Sequence, residues 1–256
     1  MRRVHRPERE VAGMAEPLTW TTTEQAGFTI VAVHGRLVLA TTPRLFIGLQ
    51  KALAEQPSAL LVDLSGMSLG DVVALSVFTA INRQAAIWPG TPVLLCGPRP
   101  EVAAPLARRR FGALLVRDDV DDAIREVSLG AAVPPMITDR LLPATGATRR
   151  ARHVATEACL RWGLPELAGP AAIVADELVA NAVEHAGTMI TLQLVRRPRF
   201  VHVVVRDGSP RAPEITVRVP GGPDHGRGLL LVESFATRWG TMPTLNGKVV
   251  WATLAV

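Results

Sequence analysis

The sequence predicts an α/β protein built from two unlike units, a β/α unit followed by an α+β sandwich. Two patterns predict it. In the first half, short apolar runs alternate with amphipathic stretches, the order that builds a largely parallel sheet with crossover helices. In the second half, two helical stretches come first and most strands follow, the order of helices packed on a mostly antiparallel sheet. With 256 residues, 48% hydrophobic and 20% charged, the chain has ample material for a core, which excludes a disordered or collagen-like protein. Reading along it gives a mobile arm over 1–16, a first unit over 17–128, a linker over 129–136 and a second unit over 137–256.

The arm is charged and has no apolar periodicity. Phe28 to Val33 is a β-rich apolar run closed by His34-Gly35, hence a strand. Thr42-Pro43 marks a helix start, and Leu45, Leu49, Ala52 and Leu53 follow at helical spacing. Ala59 to Leu64 is a continuous apolar run, the pattern of a strand buried on both faces. Asp71 opens a helix from Val72 to about Ile87, closed by Pro89-Gly90. Val93 to Cys96 is a third strand and Glu101 to Arg110 a third helix. Leu114 to Val116 is a short strand, and Asp118 to Val127 a helix with acids in its first turn, where the helix dipole favours them.

Leu129 to Pro135 reads as a linker. Thr145 to Trp162 is then helical, with Arg149, Arg150 and Arg152 on its solvent side and Gly163 as its stop. Pro170 opens a second helix running to about Ala186. Met189 to Val195 and Phe200 to Arg206 are strands joined as a hairpin. A Pro/Gly-rich loop spans Ser209 to Arg227, a helix runs from Gly228 to about Thr237, and Val249 to Leu254 is the last strand.

Charge and cysteine usage narrow the function classes. Residues 1–16 are net +1, residues 17–130 balance, and residues 131–256 carry fourteen basic against ten acidic groups, net +4. The excess suits a polyanionic ligand in the second unit. Aromatic residues are 4% with no Tyr, so no stacking platform for single-stranded nucleic acid is visible, and nucleic acid is not an expected partner. The longest apolar stretches, such as Val72 to Ile81, are about ten residues, whereas a membrane helix needs about 20. Cys96 and Cys159 lie in apolar segments and are expected to be buried thiols of a reducing, cytoplasmic compartment.

Three segments of the second unit carry chemistry. Glu177, Asn181 and His185 recur every four residues and share one helix face, with Leu178, Val179, Ala182 and Val183 on the other. Val203 to Val205 lead into Arg206-Asp207-Gly208, an apolar strand ending in a carboxylate and a glycine. Such a carboxylate can accept from an exocyclic amine, while the glycine lets a flat ring approach. Gly226-Arg227-Gly228 opens a helix whose free N–H groups suit phosphate.

In this order, with Trp239-Gly240 and Gly247 to Trp251 behind them, the segments resemble the GHKL-type ATPase domain of bacterial anti-sigma-factor serine kinases over about residues 137–256. The resemblance implies ATP and Mg²⁺ as cofactors. It assigns Asn181 to the metal, Glu177 to the general base for a protein serine, and Asp207 with Gly208 to the adenine. Gly226, Arg227 and Gly228 would hold the phosphates, and Ser209 to His225 would form the lid. Asp207-Gly208-Ser209-Pro210-Arg211 departs from the broader fold's Asp-x-Gly-x-Gly pattern, with Ser209 and Arg211 at the glycine positions.

Residues 28–127 resemble a STAS domain, the fold of anti-sigma-factor antagonists. The matching segments are His34 to Leu37, Ala40 to Leu45, Leu61 to Gly66, and Asp71 at a helix start. Antagonists commonly carry a phosphate-accepting serine after that Asp, but here Val72 and Val73 follow and no nucleophile is present. Ser65, Ser68 and Ser76 read as ordinary turn and helix hydroxyls. The resemblance implies a cytoplasmic regulator that phosphorylates a separate STAS antagonist and sequesters a sigma factor, with a degenerate STAS unit in cis. A linker of about seven residues gives a millimolar-order effective concentration. That unit is therefore expected to dock on its own ATPase domain, or on a second copy in a homodimer, as a partner mimic. Two other classes stay open on the residues alone: a catalytically inactive ATP-binding interaction module, and a nucleic-acid binder using the +4 half.

Overall fold

The computed structural model describes residues 16–25, 27–108, 111, 114–130, 134–211 and 228–256. Apart from Glu16, the expected arm lies outside them, as do Arg109 and Arg110.

The N-terminal unit is a five-stranded sheet in the order β1-β2-β3-β4-β5. It comprises β1 (Thr19–Gln25), β2 (Phe28–Leu37), β3 (Ala59–Leu69), β4 (Val93–Cys96) and β5 (Leu115–Arg117). β1 pairs antiparallel with β2, and β2 to β5 run parallel. The crossover helices are α1 (Thr42–Ala54), α2 (Ser76–Ile87), α3 (Pro100–Leu106) and α4 (Val120–Gly130). Both faces of β3 and β4 are covered, which is why Leu60, Leu61, Val62, Leu94 and Leu95 are all buried. β1 was not expected from its sequence: TWTTTEQ is almost wholly exposed, and only Trp20 turns inward. Gly48 on α1 exists for that ring, since a Cβ there would lie 2.6 Å from it.

The C-terminal unit is a second five-stranded sheet, antiparallel throughout, in the order β6-β7-β8-β10-β9. Its strands are β6 (Met136–Leu141), β7 (Ile190–Arg196), β8 (Phe200–Asp207), β9 (Arg238–Pro243) and β10 (Lys248–Ala255). Helices α5 (Ala147–Arg161), α6 (Pro165–His185) and α7 (Gly228–Phe235) cover one face. α6 starts one turn earlier than the Pro170 signal predicts. Pro165 occupies the first turn, where a missing N–H costs nothing, and Pro170 is carried inside the helix. Met136 begins an edge strand rather than ending a connection, and β9 is a further edge strand that carries Gly240 and Pro243.

The two units pack into one body. Side chains alternate along β8 and β10, so Val203, Val205, Val250 and Ala252 enter the core beneath the helices. Val204, Val249 and Trp251 point the other way and join Met242 in the core of the N-terminal unit. Trp88, just past α2, stacks on Trp251 with ring centres 5.6 Å apart and planes at 4°. Around this stack, Arg206 binds Glu55 at 2.9 Å and the Ala54 carbonyl at 2.8 Å. Arg197 donates to the Pro89 carbonyl at 3.1 Å, and Gln56 donates to Gln193. Gln56 reaches it from a left-handed backbone, φ +55°.

Candidate functional site

On the helix side of the C-terminal sheet, α6 presents Glu177 and Asn181 one turn apart, both half-buried, while His185 at its end is exposed. The carboxylate of Glu177 lies against Gly228, the first residue of α7, and a Cβ at position 228 would collide with Oε2. Glycine there lets the carboxylate approach the start of α7 in this position. Burial pushes the Glu177 carboxyl above the ordinary carboxylate range, and the neighbouring Asp176 adds to it. Asp176 faces Arg152 of α5 at 3.7 Å. Helix spacing thus sets Glu177 and Asn181 one turn apart, and the fold brings Gly228 against Glu177. Gly226 and Arg227 lie outside the described residues, as does the expected lid beyond Arg211.

Asp207 ends β8 on the same face and is buried. Its Oδ1 accepts from the Ser209 N–H at 2.8 Å, and the Gly208 N–H donates to Thr188 Oγ1 at 2.8 Å. Opposite it, in register on β10, stands Lys248. Its ammonium is 3.0 Å from Oδ1 and 2.9 Å from Oδ2 of Asp207, and both side chains are almost fully enclosed. Sequence reasoning missed this pair. The signal was present, because Lys248 is one of two lysines in the chain and heads an otherwise apolar strand.

The residues could hold MgATP. Asp207 is a buried carboxylate at a strand end, and an exocyclic amine would have to share its Oδ2 with the Lys248 ammonium 2.9 Å away. Gly228 lets the Glu177 carboxylate lie against the start of α7, where helix N–H groups suit phosphate. No cluster of three or more acidic, His or Cys ligands occurs among the described residues. Mg²⁺ does not require one, since it takes one or two protein oxygens and completes its shell with phosphate and water. The Asn181 carboxamide can supply such an oxygen.

In the N-terminal unit, Asp71 caps the turn Val72–Leu75, its carboxylate accepting from the Val73 N–H at 2.9 Å. Val73 is exposed and lines a cleft of about 370 Å³ with Ser76, Thr79, Ala80, Arg83 and Phe111. This surface is not the one that docks in cis. Trp88 docks from the far end of α2, whose twelve residues span about 18 Å. Docking is also on the sheet face opposite α6, so the unit does not sit over Glu177 and Asn181 as a mimic of a substrate. The two units pack together through Trp88 and Trp251 instead. A second cleft, of about 440 Å³, lies at the junction between Gln84 and Ile87 of α2 and Arg238 to Thr241 of β9, away from Asp207.

Residues 19–123 match the family model of the STAS domain, and residues 142–254 match that of the histidine kinase-like ATPase domain. The chain joins a STAS domain to a histidine kinase-like ATPase domain. An ATPase domain of this kind implies ATP as ligand. Solved structures similar to the STAS half include an anti-sigma factor antagonist from Mycobacterium paratuberculosis, at 24% identity and TM-score 0.39 over 44% of this chain and 95% of that one. The anti-sigma factor antagonist SpoIIAA in its unphosphorylated form is 14% identical, with TM-score 0.37, over 44% of this chain and all of the other (100%). A sulfate transporter family protein from Wolinella succinogenes is 20% identical, with TM-score 0.36, over 42% and 89%. No curated protein matches the chain. Among the described residues no helix is long and apolar enough to cross a membrane.

Proposed function

We propose that this protein is a regulator of the anti-sigma-factor type, whose ATPase domain phosphorylates a serine of a separate STAS antagonist and holds a sigma factor when that antagonist is absent. The observation that carries the proposal is the pairing of two features in one chain. Glu177 and Asn181 share a face of α6, with Glu177 against the glycine start of α7, while the cis STAS domain offers Val72 and Val73 where an acceptor would stand. The phosphate therefore has to go to another protein.

In the proposed reaction the antagonist's serine Oγ attacks the γ-phosphorus of ATP. The new O–P bond forms as the bond to the ADP oxygen breaks, and the serine proton passes to the Glu177 carboxylate. Partial burial keeps that carboxylate basic enough to receive it. Mg²⁺, when bound through Asn181, supplies charge neutralisation at the phosphates. Asp207 orients the base, and the Gly228 end of α7 presents N–H groups to phosphate oxygens.

The test is incubation of the full chain with γ-labelled ATP, Mg²⁺ and a serine-bearing STAS antagonist. Label on that serine supports the reading. ATP binding with no transfer to any STAS protein would leave a binding module instead. Affinity for DNA or RNA that falls steeply with salt, in the absence of ATP binding, would favour the nucleic-acid reading.

A further inference from the structure

The cleft of about 440 Å³ between the two domains has the volume of a small-ligand site and the position where such sites are commonest. The STAS domain supplies one wall through Gln84 and Ile87 of α2. The ATPase domain supplies the rest, and its β9 is the outer strand of the sheet. Side chains alternate along β9, so Arg238 and Gly240 share the face of Met242, which packs into the STAS core. Trp251 projects onto the same face from the neighbouring strand, with Gly240 as its direct partner in register. The indole lies across that glycine, where a Cβ would come within 2.8 Å of Cζ2 and 3.5 Å of Nε1. Trp251 is 3% exposed, and its Nε1 has no hydrogen-bond partner among the described residues. An indole nitrogen can only donate, and buried donors are ordinarily satisfied. The wall of the cleft therefore holds an N–H that lacks an acceptor.

The charges lining the cleft narrow the acceptor to a carboxylate. Arg238 is exposed there and makes no ion pair among the described residues. A guanidinium on the same strand face as an indole N–H offers a carboxylate two kinds of donor, and charged acceptors make the stronger bonds. Glu233 lines the cleft from α7 and disfavours a second negative charge. Ile87 and Ala236 add apolar surface for the body of a ligand. We propose that this junction cleft binds a small monocarboxylic acid with an apolar body. Its carboxylate accepts from Arg238 and from Trp251 Nε1, and its body lies along Ile87. Because Gln84 and Ile87 belong to the STAS domain, the occupied site ties that domain to the ATPase sheet. None of these groups belongs to the nucleotide site, so titration without ATP tests the cleft alone.

Calorimetric titration of the full chain with octanoate and with 3-phenylpropionate tests it, beside the uncharged amide of each and the dicarboxylate benzylsuccinate. At least one of the two acids should bind, and its amide should bind about 10–100-fold more weakly, the span for a hydrogen bond to a charged group. Benzylsuccinate should bind more weakly than 3-phenylpropionate in the wild type and regain affinity in Glu233→Gln. In Arg238→Gln the acid and its amide should bind alike. Both substituted side chains are exposed, so neither variant disturbs the core. In spectra of the ¹⁵N-labelled protein, the Trp251 indole N–H, identified by its proximity to Gly240, should move downfield as the acid is added. Failure of both acids to bind would overturn the site. So would an acid that binds no better than its amide, or one that leaves the Trp251 signal in place.

Discussion

Asp207 and Lys248 neutralise each other inside the protein, so changing either one acts on folding before it acts on binding. Removing one partner of a buried pair costs about 3–5 kcal/mol, because the other charge is left enclosed. Asp207→Asn should therefore lose stability of that order in urea unfolding, and Asp207→Asn with Lys248→Met should regain most of it. If the double variant is no more stable than the single one, the pair does not carry the cost. Glu177→Gln is a cleaner probe, since no ion pair holds that carboxylate among the described residues. It should keep ATP affinity and slow transfer by about 10²–10⁴-fold, the span for loss of a general base. In the wild type, transfer should fall with acidification through a midpoint above the ordinary carboxylate range, because burial raises the Glu177 pKa and only the ionised form accepts the proton. An unchanged rate in Glu177→Gln would leave that residue structural. Glu177, Asn181 and Asp207 were legible in the sequence because helix spacing and a strand end define them locally. Lys248 was not legible as a partner, because its meaning depends on a pairing across 41 residues.

At the scale of elements, what the sequence hid was three of the four sheet edges. The central strands β3, β4 and β8 declare themselves by continuous apolar runs, since both their faces are covered. β1, β6 and β9 are edge strands with polar residues, Gly or Pro, and their order comes from backbone pairing with a neighbour. α6 was located but entered one turn late, because Leu164-Pro165 and Gly169-Pro170 are equally good start signals. α7 supplies the prediction at this scale. Gly228→Ala adds a methyl group that meets the flexible end of Glu177 rather than backbone, so the carboxylate should swing away at little cost. Stability should stay within about 1 kcal/mol of wild type, while transfer drops by about 10²-fold through misplacement of the base. Thermal unfolding and the labelling assay, run on one preparation, separate the two effects. A rate equal to wild type would mean that the contact between α6 and α7 does not set the base.

Across the whole molecule, the STAS domain acts as a cover for the open face of the ATPase sheet, leaving its own Val73 surface outward. Truncation to the ATPase domain would uncover Val204, Met242, Val249 and Trp251, so the full chain is the proper object for binding studies. Trp251→Ala should cost about 3–5 kcal/mol and split a single unfolding transition into two as the domains uncouple. The seam also contains buried polar atoms without partners among the described residues: Trp88 Nε1, Trp251 Nε1, Arg197 Nε and His202 Nδ1. Of these groups only the His202 imidazole has an ordinary pKa near neutrality. Burial, aided by the Arg197 charge, lowers its pKa from 6.5 to about 4. The folded protein therefore keeps it neutral where the unfolded chain has already taken a proton. Stability from this residue is fully present above about pH 6.5 and is lost as pH falls toward 4, by up to about 3 kcal/mol. Urea midpoints measured at pH 7 and pH 4.5 should differ more for the wild type than for His202→Leu, which has no proton to take. Equal pH dependence in the two proteins would show that the seam does not enclose the imidazole. A larger loss in the wild type would show that folding holds the imidazole neutral in the seam.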